Sequence, residues 1–321
     1  MQAVAFTESG RVDVIQLPRP TLLEPGDAIV LVTTTAIGPW DIDSFLNASG
    51  NNVIPGSEFA GLVVETGHEV VEIQIDDVVA NTVQHVSNDG SSNLFGSTKL
   101  PGGHAEYVRV PDADRTLIKI TVAGEERSVL AGGTVGLAVQ AAAIATANSP
   151  YGTYRILGCD PLGITVLTAL NNAGAKSRSS AIESHPARKT LASRLASAVS
   201  DSVMGLDLPR ADTVIVGAIS EGPGVDTILA SVKPSGRIIF AEPYGASSIL
   251  RGGVTLPEDV TISTTVWPNS VEVQKIVDRL QIHQLDLTSL VSHVIPLDLV
   301  QDAYEAAAGP ARGVQKVLIK P

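Results

Sequence analysis

The chain has 321 residues, 44% of them hydrophobic, and sets 34 acidic against 22 basic side chains for a formal net charge of −12. That length can bury the cores of two ordinary domains, and the acidic balance argues against nucleic acid or an anionic membrane surface as partner, since both are held by Lys and Arg. The single cysteine, Cys159, excludes an intramolecular disulfide framework and a cysteine-built structural zinc site, and a cytoplasmic location is expected.

In chain order, the first third predicts short strands broken by Gly, Pro, Asn and Asp: Ala28-Ile-Val-Leu-Val-Thr, Gly61-Leu-Val-Val-Glu and Asp77-Val-Val-Ala. These suggest a compact β barrel. From about Ser128 the pattern changes to alternating helix and strand, beginning with an Ala-rich segment from Val135 to Ala147 and the strand Tyr154-Arg-Ile-Leu. Further strands are read at Thr213-Val-Ile-Val and Arg237-Ile-Ile-Phe-Ala, with helices near Val225 to Val232 and Val271 to His283. The stretch Val314-Gln-Lys-Val-Leu-Ile-Lys returns to a strand. Alternation of this kind implies a parallel sheet. No apolar run approaches the roughly 20 residues of a membrane span, and Met1-Gln-Ala-Val-Ala-Phe lacks a basic leader, so no membrane or export role is expected.

The segment Ile156-Leu-Gly158-Cys159-Asp160-Pro161-Leu162-Gly163 follows a strand and opens a helix whose apolar residues Leu162, Val166, Leu167 and Leu170 recur at helical spacing. Such a turn offers backbone N–H groups and a helix N-terminus to a pyrophosphate, and an acidic residue about 20 positions on holds the adenosine ribose. Glu183 stands there and favours NAD over NADP, with Arg178 and Arg188 nearby as a qualification. The middle glycine position is Asp160. At ~5 Å and an effective dielectric near 20, a like-charge pair costs roughly 3 kcal/mol, so Asp160 must turn outward, cap the helix or be offset by a cation. Lys176-Ser-Arg-Ser-Ser, read as the second strand, is also more polar than a buried central strand should be.

Several segments together resemble the zinc-type medium-chain dehydrogenase/reductase superfamily, nearest to threonine dehydrogenase and glutathione-independent formaldehyde dehydrogenase. The carriers are Glu24-Pro-Gly-Asp-Ala-Ile-Val-Leu-Val, Pro55-Gly-Ser-Glu-Phe-Ala-Gly-Leu-Val-Val-Glu, Leu100-Pro-Gly-Gly-His-Ala-Glu-Tyr-Val-Arg-Val-Pro and Leu290-Val-Ser-His-Val-Ile-Pro-Leu. The resemblance implies an α/β protein: a GroES-like β-barrel domain from residues 1–127 and 288–321, and a doubly wound, parallel Rossmann domain from residues 128–287. Substrate would lie in the cleft between them. In zinc members, the places resembling Gly38, Ser57 and either Ala131 or Gly132 carry metal ligands. Here only Glu58 of the metal motif keeps a ligating side chain, so no zinc is expected, catalytic or structural.

The cleft is then expected to hold Trp40, Asp41, Asp43, Ser57 and Glu58, with Asp43 favoured as acid/base because many relatives carry a relay histidine there. Asp41 and Glu58 also have a purely structural reading, and Trp40 a packing one. His68 reads as a turn residue, His85 and His104 as solvated, and Cys159 as a small apolar filler. The leading expectation is a zinc-independent, NAD(P)-dependent oxidoreductase acting on a small carbonyl or activated alkene. The alternatives are a repurposed enzyme of elimination, isomerisation or cyclisation, and a non-catalytic binding subunit. The resemblance also implies a homodimer joined at sheet edges, with Ser263-Thr-Thr-Val-Trp267 as a candidate edge.

Overall fold

The computed structural model describes residues 1–47, 53–202, 208–217, 224–243, 259–309 and 314–321. The chain opens with an antiparallel hairpin of β1 (Gln2–Glu8) and β2 (Arg11–Gln16). A seven-stranded sheet follows, built on β3 (Ala28–Ala36), β4 (Glu58–Thr66) and β5 (Val78–Asn81). A small hairpin, β6 (Gln84–Val86) with β7 (Ser92–Leu94), occupies the stretch after β5. The large sheet is extended by β8 (Tyr107–Val110) against β3 and by β9 (Leu117–Lys119) against β5. Alternating Val, Ile and Ala on these strands turn one face into a shared core with Phe59, Phe95 and Leu100.

The second sheet has six strands, all parallel: β10 (Tyr154–Leu157), β11 (Ser179–Ile182), β12 (Ala198–Ser200), β13 (Ala211–Val216), β14 (Val232–Phe240) and β15 (Thr261–Thr264). Their spatial order is β12-β11-β10-β13-β14-β15. The sequence order therefore reverses beside β10, and an open sheet of this kind places its ligand crevice at that switch point. The polar stretch Lys176 to Arg178 forms a 3₁₀ turn instead of strand, and β11 starts only at Ser179. That resolves the conflict between its polarity and a buried position, because the residues that pair are Ser179 to Ile182 and the charged ones precede them.

The helices are α1 (Pro39–Leu46), the single turns α2 (Ala113–Thr116) and α3 (Glu125–Ser128), α4 (Thr134–Asn148), α5 (Pro161–Asn172), α6 (Pro186–Leu195), α7 (Val225–Ser231), α8 (Ser270–Gln281) and α9 (Val300–Ala308). On α4 the small residues Ala138, Ala141, Ala142 and Ala145 are all buried in one cluster with Leu162, Leu167 and Leu170 of α5, so the two helices pack closely. Capping of α8 is complete: Asn269 accepts from Glu272 N while Glu272 reaches back to Asn269 N.

Two further strands, β16 (Val291–Pro296) and β17 (Lys316–Lys320), return to the first sheet. They pair in parallel with each other, and β17 pairs antiparallel with β3 through Leu318 opposite Ala36. This return carries Lys316 to the junction of the two sheets. No helix among the described residues is long and apolar enough to cross a membrane.

Candidate active site

Helix α1 begins at Gly38, with Pro39 supplying a first-turn residue that has no N–H to satisfy. Asp41 closes this turn on itself and on the next segment: Gly38 N donates to Oδ2 at 2.8 Å and Gly56 N to Oδ1 at 3.0 Å. Its carboxyl is buried, which raises its pKa from 3.8 to about 6 despite these two bonds. Beside it, Trp40 Nε1 donates to Ser57 Oγ. Asn81 fixes the same segment from β5, accepting from Phe59 N and donating to Ser57 O, both at 2.8 Å.

Glu58 is 0% and Lys316 1% exposed, and they form an ion pair of 2.6 Å. Thr134 N donates to Glu58 Oε1 at 2.6 Å, at the start of α4. Lys316 Nζ donates further to Ile37 O at 2.8 Å and Thr134 Oγ1 at 2.9 Å. The ammonium has therefore found three oxygen partners, and both carboxylate oxygens are engaged. Gly133 makes room for this cluster, since a Cβ there would lie 2.4 Å from Glu58 Oε1. The positions where the resemblance places metal ligands, Gly38, Ser57 and Ala131 or Gly132, offer no imidazole or thiolate, and Glu58 is held by Lys316 and Thr134. This donor set does not fit a zinc ion.

His104 is buried, contrary to the solvated state expected of it, because Tyr304 of α9 packs over it. Its Nε2 faces Ala36 O at 3.4 Å, and its Nδ1 lies 3.0 Å from Tyr304 OH. A carbonyl only accepts, so the proton sits on Nε2 and the tyrosine hydroxyl donates to Nδ1. Burial lowers the His104 pKa from 6.5 to about 3, leaving the imidazole neutral. His85 also departs from the expected solvated state: only 11% of its side chain is exposed, and its Nε2 lies 2.6 Å from Asp112. His68 is exposed after β4, as a turn residue would be.

Trp40 and Trp267, the only tryptophans of the chain, meet edge to face with ring centroids 4.7 Å apart and planes at 90°. One belongs to α1 and the other follows β15, so the pair joins the barrel to the parallel sheet. Trp40 thus packs against another indole as well as bonding Ser57. Asp43 stands apart from this buried group. It is exposed one turn along α1 from Trp40, on the same face, and partial burial raises its pKa above 3.8.

On the sheet side, β10 runs into Gly158, whose φ of +83° suits glycine and whose Cβ side is open within 4 Å. Gly163 is required by close packing, because a Cβ there would lie 2.0 Å from Gly158 O. Asp160 caps α5: Gly163 N donates to its Oδ1 at 2.9 Å, and Pro161 takes the first helical position. Of the dispositions open to Asp160, the structure shows the cap, in a cavity that Asp160 shares with the cations Arg188 and Lys316. Leu162 faces inward into the α4/α5 core. Glu183 turns back on the turn itself, accepting from Cys159 N at 2.8 Å and His185 N at 2.7 Å. Cys159 is buried as an apolar filler, and burial, then Glu183 and Asp160, push its thiol pKa well up.

Between the turn and the barrel lies a cavity of about 30 Å³ lined by Ile37, Pro39, Asp160, Arg188, Gln315 and Lys316. The shape of the turn fits a dinucleotide: Gly158 leaves its open face free, Gly163 lets helix approach strand, and Glu183 ends the second strand. The cations Arg188 and Lys316 share the cavity with Asp160. Thus the structure assembles Trp40, Asp41, Ser57 and Glu58 on the barrel side and Gly158 to Gly163 with Glu183 on the sheet side. Lys316 links the two groups. Sequence reasoning did not single out Lys316, Thr134, Tyr304 or Gln315, and named Trp267 only in a candidate sheet edge; the one available hint was a lysine at the start of the strand Lys316–Lys320.

A barrel and a parallel sheet joined over a glycine turn at the switch point define the alcohol dehydrogenase class of fold. Residues 24–122 match the family model described as Alcohol dehydrogenase GroES-like domain. The chain is 26% identical over 354 residues to Zinc-type alcohol dehydrogenase B of Aspergillus flavus, covering 100% of this chain and 81% of that protein. Among solved structures, alcohol dehydrogenase TADH from Thermus sp. ATN1 superposes with a TM-score of 0.81 at 22% identity, covering 100% of this chain and 99% of that one. A short chain alcohol dehydrogenase from Escherichia coli CFT073, complexed with NADH, gives 0.78 at 17% identity, with 100% and 99% covered. Together these likenesses support the medium-chain dehydrogenase/reductase superfamily.

Proposed function

We propose that this chain is a zinc-independent, NAD(P)-dependent oxidoreductase acting on a small carbonyl or activated alkene in the cleft beside Trp40 and Trp267, with NAD favoured. The observation that carries the reading is the glycine turn at the switch point, with Gly158 and Gly163 in their two geometric roles and Glu183 at the end of β11. Dehydrogenase relatives, one of them a structure complexed with NADH, support it. The backbone of the turn from Gly158 to Gly163, including Leu162, would hold the diphosphate once the Asp160 carboxylate gives way, and Glu183 the adenosine ribose; the bound nicotinamide supplies or accepts the hydride.

The chain's own residues then manage position and protons. Trp40 and Trp267 form an apolar wall that excludes water and favours a flat, uncharged substrate. Ser57 Oγ already accepts from Trp40 Nε1, so its own proton is available as a donor to a substrate oxygen once the indole shifts. Asp41 holds the Gly38 and Gly56 turns in register. Asp43, exposed on the Trp40 face of α1, exchanges protons with solvent as the acid/base. Glu58 and Lys316 balance each other's charge and hold the start of α4.

The test is calorimetric titration with NADH and NADPH, together with metal analysis of the purified protein. Micromolar NADH binding with substoichiometric zinc supports the reading; stoichiometric zinc, or no binding by native protein and Asp160 variants alike, overturns it. One observation favours a second reading of non-redox chemistry such as elimination, isomerisation or cyclisation: the Asp160 carboxylate stands at the helix N-terminus where a phosphate would bind. Turnover of a substrate without any nicotinamide would select it.

A further inference from the structure

The N-terminus of a helix attracts an anion through its free N–H groups and its dipole, and a side-chain carboxylate there competes with any external one. In α5 that place is taken from within: Asp160, 5% exposed, accepts from Gly163 N, and a Cβ on Gly217 would come within 2.7 Å of its Oδ1. A second carboxylate, Glu183, takes the N–H of Cys159. The adjoining cavity of about 30 Å³ has room for roughly two waters but not for a diphosphate. Gln315, which lines that cavity and is 6% exposed, has neither Nε2 nor Oε1 hydrogen bonded. A buried amide without partners is costly, and this one faces a cavity that also holds Asp160, Arg188 and Lys316, where a ligand would give it partners.

We infer that Asp160 is an internal competitor for the diphosphate of the ligand, so that binding requires its carboxylate to leave Gly163 N and lets Gln315 gain a partner. This rests on the dinucleotide reading above. The competition sets affinity: the ligand must displace a cap that the chain carries in its own sequence, in an environment where two like charges cannot both sit at one helix end.

The test uses the full-length protein and two probes, ADP-ribose, which carries the diphosphate, and adenosine, which does not. Native protein, Asp160→Asn, Asp160→Gly and Gln315→Leu are titrated calorimetrically, with thermal unfolding to confirm folding. Asn caps a helix about as well as Asp, and Gly is only slightly worse, so both Asp160 variants are expected to fold. The expected result is ADP-ribose binding tightened about tenfold or more in both Asp160 variants, weakened several-fold in Gln315→Leu, and adenosine binding unchanged throughout. Tightening in Asp160→Gly alone supports competition through the cap rather than the charge. Equal ADP-ribose affinity in native protein and both Asp160 variants overturns the inference while leaving the dinucleotide reading intact; no binding by any of them overturns both.

Discussion

Two buried carboxylates, one on the barrel side and one on the sheet side, are held by different means. Glu58, on the barrel side, has a cation at 2.6 Å and a backbone donor at 2.6 Å, so its charge is answered directly. Asp160, on the sheet side, caps its own helix and lies in a small cavity with the cations Arg188 and Lys316. The first arrangement is complete without any ligand. The second stands where an anionic ligand belongs, and the difference teaches that a buried acid can be a structural member on one side of a cleft and a gate on the other.

Breaking the barrel side is expected to have the largest effect. Lys316→Met strands Glu58 in a buried site, and removing one partner of such a pair costs about 3–5 kcal/mol. Urea unfolding should show that loss, with much of it restored in Lys316→Met/Glu58→Gln; a single variant as stable as native protein would refute the pairing argument.

The barrel side should also respond to pH through two buried groups of opposite sign. Asp41 is raised from 3.8 to about 6, so the folded state holds its proton more tightly and stability from this group falls as pH rises through that window. His104 is lowered from 6.5 to about 3, so its contribution is present above 6.5 and is lost as pH falls toward 3. Each slope is roughly 1.4 kcal/mol per pH unit. The two oppose between about pH 4 and 6, and native stability should be nearly flat there. In Asp41→Asn stability should fall on acidification, and in His104→Gln it should rise; parallel pH profiles for all three proteins would contradict this.

Smaller changes sharpen the contrast. Gly133→Ala pushes a methyl to 2.4 Å from Glu58 Oε1, and crowding of this kind costs about 1–3 kcal/mol, readable as a drop in thermal midpoint. On the sheet side, Asp160→Asn keeps the cap and should change stability by less than about 0.5 kcal/mol, as measured in the same denaturant series. A loss comparable with that of Lys316→Met would make Asp160 a structural acid as well and erase the distinction.

The sequence made the barrel, the parallel sheet and the glycine turn legible because each is written in local pattern: alternating β residues, turn glycines, and a strand followed by helical spacing. Asp160 stood out for the same reason, as a carboxylate in a glycine slot. Lys316 did not, since its partner is set by the pairing of β17 with β3, and no local period marks which lysine of a strand will be buried. His104 reads as solvated because its Gly-Gly-His-Ala-Glu-Tyr segment resembles one in which the family tolerates many residues at that place, and its burial comes from Tyr304, 200 positions away. Local chemistry carried through; charge compensation assembled from distant segments did not.

The reach of Lys316 also orders events during synthesis. Ile37, Glu58 and Thr134 leave the ribosome early, whereas the ammonium that joins them lies 279 positions beyond Ile37. At about 5–20 residues per second, that interval lasts roughly 15 to 55 seconds. For that time the nascent barrel lacks both strand β17 and the positive charge for Glu58, and burying that carboxylate without its cation is unfavourable. The parallel sheet is translated meanwhile, and the late arrival of Lys316 completes the barrel against it.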